Sequence, residues 1–479
     1  MDSASSPLLT QPIRRALLTM AAPTAVGMLL TFLFQLVDTY FIGQLGVNEL
    51  TAISFSYPIY ILIIGLFMGL STGVSAAVGK LLGEGNTPRA ASLIAIAIIS
   101  VSVVAILVGV LGTTFLHSSF SLLGTPAGLS HLVSEYMLPL YTGLALLAAV
   151  LVGNAALMAK GVMIKPMLVM GIGGLINLVL DYVLIFGLGD IPAMGLSGAA
   201  WATVISWFIM LILMILLLIR EELIALPRNV KSIDIKNVLS LSIPAVAAQI
   251  LTPISVAIIT RIVSGFGDNA VAAYGIVARI ESLALTGILA LSVIITPLVA
   301  QNYGAAFGEN KSESRISPLR LDNIVALSGR MTVYWGMVVY VALLLLGKPI
   351  IGLFTDNADI IQIGYLYIAI VGLSFPAFGL VLITSSFFNG VQKPIISLKL
   401  TLVKALLFSV PFALIGALFS APYIWIGLAI ANISGAIYAK ALLDKWLTEH
   451  QSSLTEDEAS IVGDYLNDMK AIIKMVLPN

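Results

Sequence analysis

Residues 238–304 repeat residues 17–83 at a constant offset of 221 (244 − 23). Pro23 aligns with Pro244, and Gly46 with Gly267. Gly46-Val-Asn-Glu-Leu-Thr-Ala-Ile aligns with Gly267-Asp-Asn-Ala-Val-Ala-Ala-Tyr, Leu70-Ser71 with Leu291-Ser292, and Gly83 with Gly304. Each copy opens a run of apolar segments of membrane length. The chain must therefore fold as two related halves. Paired halves in a membrane suit a transporter, because one can rock against the other around a central site.

Only 10% of the residues are charged and 59% are hydrophobic, against about 25% charged in a soluble domain. That is the composition of an integral membrane protein. The 24 basic and 24 acidic residues balance, so net charge gives no sign of a nucleic-acid partner. Without cysteine there is no disulfide. Arg14-Arg15 precedes a stretch long enough to span, with no Ala-x-Ala site after a short core, so no cleaved leader is expected.

Twelve segments are long and apolar enough to cross a bilayer. They lie near 16–42, 50–79, 89–116, 131–158, 165–188, 195–219, 237–264, 271–301, 325–347, 360–389, 395–419 and 423–443. They are too long for barrel strands and lack a strand's alternation. The expected fold is an all-α integral membrane protein, with twelve transmembrane helices in two pseudo-symmetric six-helix lobes. The lobes are residues 1–220 and 237–445, joined by a charged linker at 221–236. Basic residues such as Arg14, Arg15, Lys80, Arg89, Lys160, Lys165, Arg320, Lys393 and Lys440 fall on one side, while the opposite loops hold only Lys348. By the positive-inside rule both termini are cytoplasmic, in the cell (inner) membrane. From 446 to 479 the chain turns polar. Ser453-Leu-Thr-Glu456 has the form of a capping box, and Ile461, Tyr465, Met469 and Ile472 recur at helical spacing. An amphipathic cytoplasmic helix is expected there.

Ionisable groups inside a span are costly and point to function. Asp38 and Asp181 lie at matching depth, roughly 8–9 Å below the outer ends of segments 1 and 5. Asn177 is one turn from Asp181 on the same face. Two carboxylates in a low-dielectric pocket resist ionising together, so the pair can load a proton. The same oxygens, with Asn177, suit sodium as a hard cation. The plainer alternative is that Asp38 reaches the headgroups and Asp181 caps a neighbour. Pro23 removes a backbone hydrogen bond in segment 1, which makes either a static kink or a hinge linked to Asp38. The second half lacks the acid, since Ile259 replaces Asp38. It carries Arg261, Arg279, Glu281 and Lys404 instead, expected to lock that half through ion pairs, with direct substrate contact as the alternative. Asn154 is the polar residue best placed for a substrate cavity, with Met28, Phe34 and Gln35 as further candidates on segment 1. Interhelical packing is the commoner role for such residues.

Taken in order, these motifs resemble the multidrug and toxic compound extrusion (MATE) family, and the acid pair confined to the first half resembles its DinF-type branch. The resemblance rests on Pro23, Asp38-Thr-Tyr-Phe-Ile-Gly43, the two Gly-x-x-x-Leu/Val-x-Ala turns, Asn177-Leu-Val-Leu-Asp181, Gly198-Ala-Ala-Trp-Ala-Thr203 and Gln301-Asn-Tyr-Gly-Ala305. It covers residues 14–445. It implies export of cationic or amphiphilic drugs and dyes against an inward proton or sodium gradient. It implies Asp38 as the cation-coupling acid, Asn177, Asp181 and Thr203 as its network, and a bend at Pro23. The turn Gly161-Val-Met-Ile departs from the family's Gly-x-Gly-Asp-Thr.

The expected function is therefore ion-coupled drug export by alternating access, from a monomer without a resident cofactor. The runner-up is a flippase for a lipid-linked sugar, which calls for extra spans or a strongly cationic cavity. An enzyme is not expected. His117, His131 and His450 lie outside the spans or at their ends, and no nucleophile–base set occurs within them. No phosphate-binding Gly-x-x-x-x-Gly-Lys-Ser/Thr loop is present, so secondary rather than ATP-driven transport is expected.

Overall fold

The computed structural model describes residues 7–225, 232–308 and 318–451. Twelve helices among them are long and apolar enough to cross a membrane. The first five are α1 (Ile13–Leu45), α2 (Val47–Gly83), α3 (Thr87–Thr114), α4 (Ser130–Lys160) and α5 (Ile164–Phe186). Then come α6 (Gly195–Arg220), α7 (Ser232–Val263), and α8, which is Asp268–Ala284 continued after Leu285 by Thr286–Phe307. The last four are α9 (Leu319–Gly352), α10 (Ala358–Val371 and Phe375–Gly390), α11 (Pro394–Ala417, through a π-turn at Val403–Ser409) and α12 (Ala421–Gln451). A short helix, Pro7–Thr10, precedes α1. The only extended pairing among the described residues is the isolated bridge between Leu188 and Ile191. The amphipathic helix expected after residue 452 lies outside the described residues.

The chain forms two compact units. One is Thr19–Pro253; the other is Ile254–Asn479 together with Met1–Leu18. In the first, α4 is central and packs against α2, α3 and α6, with α5 lying on α6. In the second, α10 takes the same place against α8, α9 and α12, with α11 on α12. The neighbours match when each helix number is raised by six, so the sequence repeat is a repeat of packing as well. Phe67, Ile94, Met137 and Trp207 anchor the first core, and Phe375, Ile424 and Trp425 the second.

Lipid gives no hydrophobic reason for helices to associate, so close packing must hold them. Glycine supplies it where helices meet. A Cβ on Gly153 of α4 would come within 2.5 Å of Met214 on α6, and one on Gly336 of α9 within 2.8 Å of the Pro376 backbone on α10.

The aligned Gly46 and Gly267 both lead into the following helix at positive φ, 154° and 96°, a region costly for any residue with a Cβ. The later echo is less symmetric. Gly161 ends α4 in the left-handed conformation, but after α10 that conformation falls on Gln392. Gly390 serves instead to let α10 approach Val299 on α8. The α4–α5 turn is tied down by Glu221, just past α6. Lys160 Nζ donates to its carbonyl at 2.6 Å and its Oε2 at 3.0 Å, and Lys165 donates to Oε1. These two ammonium groups, Lys165 foremost, hold the Glu221 carboxyl below its usual pKa, against the opposing effect of burial.

Helices α1 and α7 are the least embedded. Only 11% and 17% of their most apolar stretches are buried, against 72% for α4. Both stay helical through their prolines, Pro23 in α1 and Pro244 and Pro253 in α7.

Candidate functional site

The site is built where α1 runs alongside α5. Three contacts set the register: Gly27 against Met167, Leu30 against Gly171, and Phe34 against Gly174. Each step along α1 is three or four residues, matched on α5, so the helices lie parallel with one seam between them. The Phe34 ring fills the space a side chain at Gly174 would need. One turn further, the seam reaches Asp38 on α1 and Asn177 and Asp181 on α5. It then closes with Phe41 against Tyr182 (ring centroids 6.3 Å apart) and Phe186 (6.0 Å, edge to face). The acids thus sit between two apolar contacts.

Helix α1 runs through Gly43 and ends at Leu45. Asp38 is therefore seven residues from the helix end, about 10 Å deep, slightly deeper than the expected depth of about 8–9 Å. Asp181 is five residues from the end of α5, about 8 Å. Asp181 is buried, and its Oδ1 accepts from Asn177 Nδ2 at 3.4 Å. Asn177 Nδ2 also lies 3.4 Å from Thr203 Oγ1 on α6, and Thr203 donates to the Ala199 carbonyl at 3.1 Å. These are long hydrogen bonds, with room to tighten. Asp38 and Asp181 are close enough for their charges to interact. Asp38 Oδ1 and Asp181 Oδ2 are both buried without a hydrogen-bond partner among the described residues.

Two tyrosines not singled out from the sequence complete the surroundings. Tyr60 on α2 and Tyr136 on α4 both lie within electrostatic reach of Asp38, and Tyr136 also of Asp181. Tyr136 adjoins Glu135, which is exposed. A signal did exist for Tyr60: the 221-residue offset pairs it with Glu281, itself an ionisable group inside a span.

The remaining cavity candidates lie elsewhere. Gln35 is on the exposed side of α1. Met28 is about 15 Å before Asp38 along the helix, and Asn154 about 27 Å from Tyr136 along α4. Thr24, next to Pro23, donates its hydroxyl to the Met20 carbonyl at 2.8 Å. A missing amide and a side chain bonded back to the preceding turn are both features that ease bending.

In the other unit Ile259 is buried where the first has Asp38. Glu281 accepts from Tyr367 Oη at 2.6 Å and lies within electrostatic reach of Lys404. Lys404 stands in the π-turn of α11 with its Nζ 5.3 Å from the Phe378 ring centre. Trp425 stacks on Tyr274 and meets Tyr367 edge-on. Arg279 is exposed, as is Arg261, which donates to Ser264 at the end of its own helix. These four charges are thus split between one internal cluster, Glu281 with Lys404, and the exposed Arg261 and Arg279.

A family model described as MatE matches residues 23–183 and again residues 244–415. The second match starts 221 residues after the first (244 − 23), the offset of the repeat. The FAD transporter of Shewanella oneidensis is 32% identical over 416 residues, covering 86% of this chain and 89% of that one. The probable multidrug resistance protein NorM of Thermotoga maritima is 27% identical over 368 residues, covering 75% and 76%. Among solved structures, the Vibrio cholerae MATE transporter VcmN in the bent form matches with a TM-score of 0.85 at 25% identity, covering 92% of this chain and 99% of that one.

Proposed function

The chain belongs to the MatE family of multidrug transporters, and on that premise we propose that it is a cation-coupled exporter in which Asp38 is the coupling acid. The observation that carries this reading is the pair of buried carboxylate oxygens, one on Asp38 and one on Asp181, that lack a hydrogen-bond partner among the described residues. A buried polar atom left unpaired is costly. A cation that completes both removes that cost and favours the conformation in which they face each other.

The proton is the cation of this reading. Asn177 directs its amide N–H to Asp181, and one proton relieves the repulsion between two buried carboxylates, while sodium calls for more oxygen ligands than the two unpartnered ones alone. Proton entry stabilises the closed α1–α5 seam, and drug binding stabilises the alternative. Export follows because the two ligands favour different states. One proton crossing about 100 mV supplies about 2.3 kcal/mol, enough for more than a tenfold gradient of a neutral amphiphile, whereas a monovalent cation exchanged for one proton moves no net charge and is driven by the pH difference. Helix α1 is the moving part in this scheme, bending near Pro23. Both termini are cytoplasmic in the inner membrane, because the basic turns gather on their side.

Cationic and amphiphilic drugs are the proposed cargo. A second reading, export of a flavin dinucleotide, is favoured by the similarity to the Shewanella protein and by Lys404, a cation within a span of the second unit. Proteoliposomes carrying a pH or sodium gradient, offered a fluorescent cationic dye or FAD, separate these readings. Dye movement driven by protons supports the first. FAD movement with an inert dye supports the second. Movement of neither contradicts both.

A further inference from the structure

The chain passes between its two compact units twice, after Leu18 in α1 and after Pro253 in α7. Any motion of one unit against the other must be absorbed in those two helices. Each has its N-terminal end held by an arginine from the first turn of another helix. Arg89 of α3 reaches Asp234 of α7, with Nε donating to Oδ2 at 2.8 Å and Nη2 to Oδ1 at 2.5 Å. Both side chains are buried, 9% and 4% exposed. Arg320 of α9 reaches the segment that leads into α1. Its Nη2 donates to the Leu8 carbonyl at 3.2 Å and the Gln11 carbonyl at 2.6 Å, and its Nε to Asn302 Oδ1 at 2.8 Å. Asn302 in turn points its amide at Leu8. The two arginines occupy equivalent places, each opening the third helix of its six-helix repeat, and each grips the start of the opposite repeat's first helix.

We propose that Arg89 and Arg320 are a matched pair of latches on α7 and α1, and that each opens once in every transport cycle. The proposal rests on the proposed function as a transporter that alternates between states, and not on the identity of the cargo or the coupling ion. Three features mark a latch rather than a permanent anchor. A buried ion pair holds no better than apolar residues of the same volume, but water can replace its partners when it opens. The surface beneath α7 also offers little to grip. Gly69 and Gly73 of α2 put no side chain of their own under Val246 and Ser242, and the hydrogen bond that crosses there, Ser242 Oγ to the Leu70 carbonyl, is long at 3.3 Å. Finally, the backbone carbonyls of Leu8 and Gln11 are acceptors that remain satisfied by solvent on release.

The chain has no cysteine, so a double variant Arg89→Cys/Asp234→Cys carries the only thiols. A short bifunctional methanethiosulfonate reagent then bridges them reversibly. The expected result is at least a tenfold loss of substrate transport on bridging, with substrate binding unchanged and transport restored by reductant. Transport by the bridged protein at the unbridged rate would overturn the latch. Should that variant not fold, Arg320→Cys/Gln11→Cys gives the same test at the other end. A readout independent of cargo is amide exchange over residues 7–12 and 234–240 in proteoliposomes. Exchange there should rise when a proton or sodium gradient drives the cycle. Unchanged exchange under both gradients, in protein that moves its cargo, would contradict the proposal. If the cargo fails to move but exchange rises, the substrate assignment fails and the latch stands.

Discussion

Phe34 of α1 lies in the notch that Gly174 leaves on α5. That contact fixes where Asp38 falls relative to Asn177 and Asp181. Replacing Gly174 with alanine puts a methyl group into the ring. Overpacking of this kind costs about 1–3 kcal/mol. Gly174→Ala should therefore lower thermal stability and slow transport, and Gly174→Ala/Phe34→Leu should recover part of both. A double variant no better than the single one would mean that the seam is not set by this pair.

The network around Asp181 predicts graded effects. Asn177→Ala removes the hydrogen bond to Asp181 and should slow gradient-driven transport roughly tenfold, the size expected for a bond to a charged group. Thr203→Ala acts only through Asn177 and should cost less. Initial rates in proteoliposomes give the order, and a larger effect at Thr203 would contradict it.

Glu221 makes stability depend on pH in a defined direction. Its carboxyl is held below its usual value by Lys165 and Lys160. A lowered carboxylate contributes stability that is present above the unfolded value and lost as pH falls through the folded one. Between about pH 5 and about pH 3 the melting temperature of the wild type should drop more steeply than that of Glu221→Gln. Equal slopes would show that the lysines do not hold the α4–α5 turn.

Arg89 and Asp234 predict a sign. Removing one partner of a buried pair costs about 3 kcal/mol or more, because the other charge loses its bidentate partner, whereas removing both costs less. Arg89→Ala should melt lower than Arg89→Ala/Asp234→Ala in the same detergent. The reverse order would mean that each residue is held chiefly by other groups.

The repeat, the twelve spans and the acid pair were legible because each is written along one segment. An apolar run gives a helix, a constant offset gives a second copy, and a buried aspartate stands out within its own span. What was not legible depends on which helices meet. Tyr60 and Tyr136 are ordinary membrane tyrosines until α2 and α4 bring them to Asp38. Arg89 and Arg320 count only as basic residues marking one side of the membrane, until the fold shows what they grip. The contact of Phe34 with Gly174 is not legible either, because nothing in its own helix reveals the glycine opposite.

The most direct test of the coupling role is dye transport by wild type and Asp38→Asn, reconstituted side by side under an imposed proton gradient. Asparagine keeps the shape and the Phe34 seam but cannot take up the proton. The expected result is proton-driven transport in the wild type and none in Asp38→Asn, with both proteins folded and binding dye. Transport by Asp38→Asn at the wild-type rate would contradict the assignment of Asp38 as the coupling acid.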